Sequence, residues 1–158
     1  MKQKFIVTVS IISYKKNGRL LVTERSAREK QGSSLLSYCG GKIDNFNVSS
    51  IEEVEHSILQ KTATCELLEE AGVEIYDDTM FLINNHAFQR FDDDLCLMIV
   101  FIAKFKSQRD IKLDKNEIAS IQWLLFNEID NKKMYDSVYR VYKEANEYLR
   151  NNKLIKQR

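Results

Sequence analysis

The 158-residue sequence contains no proline and only five glycines, so few residues are available for turns that need a positive φ. It has three cysteines, Cys39, Cys65 and Cys96, but no C-x-x-C pair, which argues against a zinc site and against a disulfide framework. The apolar segment at residues 5–12 is too short to span a bilayer and is followed by lysines, not by a small-residue cleavage site. We therefore expect a cytoplasmic protein with neither a membrane span nor a secretory signal.

Neither positive nor negative charge is in excess, because the sequence has 24 Lys and Arg residues and 23 Asp and Glu residues, for a formal net charge of +1. Such a chain has no general attraction to nucleic acid or to an anionic membrane, so any polyanion must be bound at a local site. With 44% hydrophobic residues, the length supports one buried core and not two. We predict a single domain over residues 1–158 and leave open whether it forms a homodimer.

Six segments have the composition of β-strands, and two have the periodicity of amphipathic helices. The predicted strands cover residues 5–14, 19–24, 35–39, 80–88, 95–105 and 118–125. The predicted helices cover residues 51–71 and 131–151. Ser49 or Ser50 is the predicted N-cap of the first helix.

The segment at residues 95–105 is almost entirely apolar, which predicts a strand at the centre of a sheet. Asn17 and Gly18, between the first two strands, are typical of a hairpin turn. Two helices are available to cover the two faces of the sheet. The sequence therefore predicts an α/β fold, a three-layer α/β/α sandwich with a mixed β-sheet between the helices.

Three carboxylates, Glu66, Glu69 and Glu70, lie in the last turns of the first predicted helix, within a sector of about 100°. Gly72 is expected to end that helix in a left-handed cap, which places the acids beside the negative end of the helix dipole at a cost of about 1 to 3 kcal/mol. A divalent cation would offset this cost, and hard oxygen ligands suit Mg²⁺ or Mn²⁺ rather than Zn²⁺. The alternative is an ordinary acidic helix face exposed to solvent.

Residues 41–73 resemble the signature of the Nudix hydrolases, the box G-x5-E-x7-R-E-U-x-E-E-x-G-U, in which U is a bulky aliphatic residue. The residues that match its second half are Glu66, Leu67, Glu69, Glu70, Gly72 and Val73. Gly40, Gly41 and Lys42 resemble the double glycine and lysine that follow a strand in this family, and residues 117–123 resemble its later E-x-x-x-x-x-W strand. The resemblance implies a mixed sheet between helices and a divalent metal bound against a diphosphate.

The chain departs from this signature in three respects. Cys65 occupies the arginine slot and lies 24 positions after Gly41, where the signature has 14, so the segment between them carries ten extra residues. Counted back from Cys65, the earlier glutamate slot falls on Ser57. Our hypothesis is that the arginine and the earlier glutamate, which could pair in relatives, were lost together. Losing both members of an ion pair is less destabilising than leaving one charge without its partner.

The resemblance also implies the catalytic roles. Glu66 and Glu70 would be ligands of Mg²⁺, with Mn²⁺ as a substitute, and Glu69 would be a third ligand or would contact the metal through water. Glu69 and Glu117 are the predicted catalytic residues, and Glu117 is the first candidate for the general base. The aspartate turn at residues 92–94 is the second candidate, although a polar hairpin turn explains it without any function.

Substrate contacts are expected at the double glycine and at two cations. Lys42 and the amides of Gly40 and Gly41 would meet a phosphate group, and Arg90 would pair with another. A solvated lysine after a tight turn and an arginine at the rim of the core are the plain alternatives. His86 lies within a strand, where a lone histidine is more often structural than catalytic.

These features predict a hydrolase that cleaves a diphosphate linkage in a nucleoside diphosphate derivative or a nucleoside triphosphate, through metal-activated water. A nucleotide-type small molecule is the expected partner. Two alternatives remain open. The first is a module of this fold that binds or senses a nucleotide with weak or no catalysis, and the second is an acidic interaction helix on an unrelated α/β protein.

Overall fold

The computed structural model describes residues 5–43 and 57–156. The strands within these ranges are β1 Ile6–Tyr14, β2 Leu20–Arg25, β3 Leu36–Ser37, β4 Cys39–Lys42, β5 Val73–Ile75, β6 Phe81–Gln89, β7 Leu95–Gln108 and β8 Ile118–Leu124. The helices are α1 Ile58–Ala71 and α2 Asp136–Asn151. Short 3-10 turns cover Asp77–Thr79, Phe126–Glu128 and Asn131–Lys133. No helix in the described ranges is long and apolar enough to cross a membrane.

The strand β7 lies at the centre of a mixed sheet, as its apolar sequence predicts. It pairs in parallel with β1 and antiparallel with β6, and its C-terminal end pairs with β5. On the other side, β1 pairs antiparallel with β4 and meets β2 only at Tyr14 and Leu20. The strand β2 then pairs with β3 and β8.

Alternate residues of the central strands point to opposite faces of the sheet. In β1, Ile11 is buried on the face that packs against Ala63 and Leu67 of α1, which we call the α1 face. Ile12 is buried on the opposite face, against a cluster that includes Leu149 of α2, which we call the α2 face. Each helix therefore covers one apolar face, and the predicted α/β/α sandwich is confirmed.

Both predicted helices begin later in the structure than in the prediction. The start of α1 at Ile58 follows Ser57, whose φ of 58° is left-handed and interrupts any helix that would run through it. The proposed caps Ser49 and Ser50 and the predicted first turn lie outside the described residues. At the second helix, Asn131–Lys133 forms a 3-10 turn instead, because the Asp130 side chain accepts a hydrogen bond from the Lys132 N–H.

The predicted strand at residues 35–39 is two strands, since the chain changes partner at Tyr38. β3 pairs with β2, whereas β4 pairs with β1 and contains the double glycine within the strand itself. The prediction also missed β5, which has only three residues and directly follows a helix cap. Its pairing with the far end of β7 is a tertiary contact that no local pattern contains.

Gly72 ends α1 in the left-handed conformation that the sequence predicts. Its φ is 65°, and its N–H donates to the carbonyls of Leu67 and Leu68. Its own carbonyl accepts the N–H of Arg109, so the cap also joins the helix to the segment after β7. A Cβ added at Gly72 would lie 2.5 Å from the Arg109 carbonyl oxygen.

We expect Gly72→Ala to lower the free energy of unfolding by about 2 to 4 kcal/mol, because it combines left-handed strain with a backbone clash. Gly18→Ala is the matched control, since Gly18 has a φ of +88° but its added Cβ would meet nothing closer than 3.6 Å. That variant should lose only about 1 kcal/mol. Denaturant unfolding measures both, and equal losses would contradict the clash at Gly72.

Candidate functional site

The strand β4 brings its backbone against the carboxylates of α1. The Gly40 N–H donates a hydrogen bond of 3.0 Å to the Glu70 carboxylate. At Gly41, an added Cβ would overlap the carboxylate of Glu66, so only a residue without a side chain permits this approach. The double glycine therefore lies where the helix closely approaches the strand, and it does not form the tight turn that the sequence analysis gave as an alternative.

The carboxylate of Glu70 lies in an environment that disfavours negative charge. Burial, reinforced by the Glu66 and Glu117 carboxylates, raises the pKa of Glu70 to about 7, against the opposing hydrogen bonds from the Gly40 N–H and the Cys39 thiol. The last turn of α1 contains no basic residue. The site therefore holds more negative charge than its described surroundings neutralise.

This donor set fits a divalent cation. Mg²⁺ is commonly bound by one or two carboxylates together with waters and substrate phosphates, so Glu66 and Glu70 suffice as protein ligands. Within residues 5–43 and 57–156, no group of three or more His, Cys, Asp or Glu side chains is arranged to hold a metal. Within the described residues, a further protein ligand would therefore be a side chain that rotates on binding, and water or substrate oxygens would complete the coordination.

The other two predicted acidic residues lie at the edge of this pair. Glu69 is exposed on α1, on the turn between Glu66 and Glu70. Glu117 is exposed immediately before β8, and its charge acts on Glu70. The structure thus brings Glu66, Glu70 and Glu117 into one electrostatic neighbourhood, and the roles of Glu69 and Glu117 stay predictions.

A cavity of about 620 Å³ lies on the α2 face of the sheet and is bordered by Gly40 and Gly41. Its floor includes Thr8, Ser10 and Met98, and both hydroxyls contact the Met98 sulfur, at 3.3 and 3.1 Å. The cationic residues that line it are Arg25, Lys42 and Arg90, and the aromatic residues are Tyr38, His86, Phe88, Phe91 and Tyr135. Cations and aromatic rings around one cavity suit a ligand with phosphate groups and a planar ring.

The predicted substrate residues all border this cavity. Lys42 is exposed at the end of β4. Arg90 makes two hydrogen bonds of 3.2 Å to Asp92, and its guanidinium lies 5.7 Å from the ring centre of Phe91. The bond from Arg90 also lowers the pKa of Asp92, which makes this residue of the aspartate turn a weaker base than an unpaired carboxylate.

Several residues of the site were absent from the sequence-based prediction. Cys39 is one of them, and it is fully buried beside Glu70. It has no local signal, because its place in the site depends on which strands become neighbours. Thr8 and Ser10 did have one, since they are polar residues two positions apart in a mostly apolar strand.

The comparisons with known proteins agree on one family. The model of the NUDIX domain matches residues 4–145. A MutT NUDIX hydrolase from Burkholderia pseudomallei superposes with a TM-score of 0.68 at 14% identity, covering 90% of this chain and 98% of that one. A NUDIX hydrolase from Nitrosomonas europaea gives 0.69 at 19% identity, covering 92% and 90%.

A third similar structure contains a ligand. The NUDIX domain of Shewanella oneidensis NrtR, solved in complex with ADP ribose, superposes with a TM-score of 0.70 at 14% identity, covering 94% of this chain and 90% of that one. At these identities the likenesses establish the shared fold. No curated protein sequence matches the chain.

Substitutions at the two glycines should separate function from folding. Gly41→Ala would push aside the flexible end of Glu66, so we expect near-native stability and at least about tenfold weaker divalent-metal binding. Gly40→Ala would instead meet the backbone of Val9 and Ser10 and should destabilise the fold. Calorimetric Mn²⁺ titration and denaturant unfolding measure the two effects. Native metal affinity in Gly41→Ala would contradict the assigned geometry.

The raised pKa of Glu70 predicts a pH-dependent stability in the absence of divalent cations. Between the ordinary pKa of 4.5 and the folded value of about 7, the folded state binds more protons than the unfolded state. The free energy of unfolding contributed by this group should therefore fall as the pH rises through that window, by up to about 3 kcal/mol.

Glu70→Gln should remove this fall, whereas the exposed control Glu69→Gln should keep it. Denaturant unfolding of the three proteins in chelator, from pH 4 to 8, gives the comparison. If the free energy of unfolding changed with pH in the same way for wild type and Glu70→Gln, ionisation of Glu70 would not destabilise the folded state.

Proposed function

The chain belongs to the NUDIX family, whose domain model covers residues 4–145, and on that premise we propose that it hydrolyses a diphosphate linkage in a nucleoside diphosphate derivative or a nucleoside triphosphate. Membership confirms the predicted enzyme class, a Nudix-type pyrophosphohydrolase. The observation that carries the proposal is the convergence of Glu66 and Glu70 on the glycines that border a nucleotide-sized cavity.

Nudix hydrolases generally use divalent metal ions, and Glu66 and Glu70 are the residues that would hold one here, with Mg²⁺ as the proposed ion and Mn²⁺ as a substitute. When bound, the ion would neutralise diphosphate charge and lower the pKa of a water molecule. Glu69, on the exposed side of the same turn, is the proposed third ligand. The Gly40 N–H donates to one oxygen of Glu70 and keeps the carboxylate in place.

The remaining steps fall to residues around the cavity. Lys42, at the end of β4, would neutralise a phosphate oxygen as a point charge, and the Gly41 amide lies beside it. Arg90 would contribute a second cation while sharing its guanidinium with Asp92. Glu117 is the proposed general base, because its carboxylate lies close enough to act on Glu70 and is accessible to solvent.

The form of the cavity supports a nucleotide-type substrate. Its volume of about 620 Å³ is within the range of small-molecule sites, and aromatic side chains on its wall could stack a base. The bound ADP ribose of the NrtR NUDIX domain is a nucleoside diphosphate linked to a sugar, which is the substrate class that we propose first.

A cytoplasmic setting fits this function. Cys39, Cys65 and Cys96 are all free thiols, which a reducing compartment maintains. The formal net charge of +1 gives no general attraction to bulk nucleic acid, so the proposed partner is a small molecule.

The second candidate function is nucleotide binding with weak or no catalysis. It is favoured by Cys65, which is exposed in the arginine slot of the box, and by Ser57, which caps α1 in the earlier glutamate slot. Calorimetry that shows nucleotide binding without release of phosphate or monophosphate, with Mg²⁺ or Mn²⁺ present, would support this candidate over the hydrolase.

We expect Glu66→Gln, Glu69→Gln and Glu70→Gln each to lower turnover at least about a hundredfold, because each removes charge that stabilises the transition state. The substrate comes from a screen of nucleotide sugars, dinucleotides and triphosphates with Mg²⁺ and Mn²⁺. Glu147→Gln, at an exposed position on α2, is the control and should keep wild-type turnover. Wild-type turnover in both Glu66→Gln and Glu70→Gln would rule out the metal assignment.

A further inference from the structure

His86 on the wall of the cavity is held by a chain of hydrogen bonds that no catalytic assignment uses. Its Nδ1 atom lies 2.8 Å from Oδ1 of Asn84, two residues earlier in β6. The Nδ2 atom of Asn84 donates to Glu144 of α2 at 2.6 Å, and Arg140 binds the other oxygen of Glu144 at 3.1 Å. The chain therefore links the helix α2 to an imidazole that borders the cavity.

The chemistry of this chain determines which histidine nitrogen carries the proton. An ionised Glu144 can only accept hydrogen bonds, so the Asn84 atom that faces it must be the amide nitrogen. The Asn84 oxygen then faces His86 and can only accept, which requires that Nδ1 be the donor. A rotated Asn84 amide would place its oxygen against a carboxylate and leave two acceptors facing each other.

The other ring nitrogen is available to a ligand. Within the described residues, Nε2 of His86 has no hydrogen-bond partner, and it is not among the fully buried atoms that lack one. Burial lowers the pKa of His86, and this effect prevails over the opposing charge of Glu144. A neutral ring with its proton on Nδ1 presents a lone pair at Nε2.

The neighbours of His86 indicate which part of a ligand would meet that lone pair. The ring centre of Phe88 lies 6.0 Å from that of His86 along the same strand, and Phe91 borders the same cavity. On the other side, His86 pairs across the sheet with Met98 on the cavity floor. Aromatic and thioether surfaces suit a planar base rather than a phosphate.

We propose that Nε2 of His86 is a specificity-determining hydrogen-bond acceptor for an N–H or O–H donor on the nucleoside part of the substrate, and that Asn84 and Glu144 are positioning residues that keep it an acceptor. This inference rests on one part of the proposed function, namely that the cavity binds a nucleotide. The flanking rings point to a base N–H group, and the ribose 2′-hydroxyl is the second source of the same chemistry.

The proton position can be measured without any ligand. The chain has two histidines, so nitrogen-15 NMR of the imidazole rings gives two pairs of signals, one pair for each ring, and His56→Gln assigns them. We expect the Nδ1–H form at His86 in the wild type and loss of that preference in Asn84→Ala. The matched control is Asn85→Ala, an exposed neighbour in the same strand, which should leave the signal unchanged. An Nε2–H form in the wild type would overturn the proposal.

Binding tests the acceptor directly. The probes are adenosine 5′-monophosphate, purine riboside 5′-monophosphate, which lacks the amino group, and 2′-deoxyadenosine 5′-monophosphate. His86→Phe keeps a ring of similar shape and should weaken binding of the first probe about 3- to 10-fold, by calorimetry. The loss of affinity in His86→Phe should vanish for the probe that lacks the hydrogen-bond donor. If that probe is the purine riboside, the donor is the base amine, and if it is the 2′-deoxy compound, the donor is the sugar hydroxyl. Asn84→Ala should weaken binding in the same direction and add nothing in the double variant.

An equal loss for all three probes, no loss in His86→Phe, or no binding of any probe by the wild type would each overturn the proposal. These outcomes are separable from the proposed function. Hydrolysis that His86→Phe leaves unaffected would refute the acceptor and retain the hydrolase. Binding with the expected pattern but without hydrolysis would retain the acceptor and refute the hydrolase.

Discussion

The close approach of α1 to the backbone of β4 is the contact on which the rest of the site depends. Two carboxylates meet this strand, where one accepts the Gly40 N–H and the other occupies the space that a side chain at position 41 would need. The same two glycines border the cavity on the opposite face of the sheet. The two carboxylates and the cavity are therefore joined by a few backbone atoms, and a shift of β4 would disturb both.

The carboxylates at the end of α1 carry an electrostatic cost that a bound cation would offset. Negative charges at the carboxyl end of a helix are disfavoured, and burial together with the Glu66 and Glu117 charges raises the pKa of Glu70 despite its hydrogen bonds. Helix stability alone would favour Lys or Arg at this end, and the last turn of α1 has neither. A bound divalent cation would resolve the conflict, which is why we propose this unfavourable local feature as the metal site.

The sequence predicted what depends on local chemistry and missed what depends on distant partners. The cap at Gly72, the turn at Gly18 and the central apolar strand follow from single residues or short patterns, and all three are confirmed. The exchange of partners at Tyr38, the short β5 and the chain from Glu144 to His86 arise only when separate segments meet. The left-handed Ser57 is a further case, since no local signal distinguishes it from a helical serine.

The central claim is that Glu66 and Glu70 together bind a divalent cation at the double glycine. Anomalous diffraction from crystals soaked in Mn²⁺ tests it most directly, because the metal scatters anomalously far more strongly than any atom of the protein. We expect a peak at coordinating distance, about 2.0 to 2.3 Å, from carboxylate oxygens of both residues. The absence of a peak there at full Mn²⁺ loading, with the two carboxylates turned apart into solvent, would contradict it.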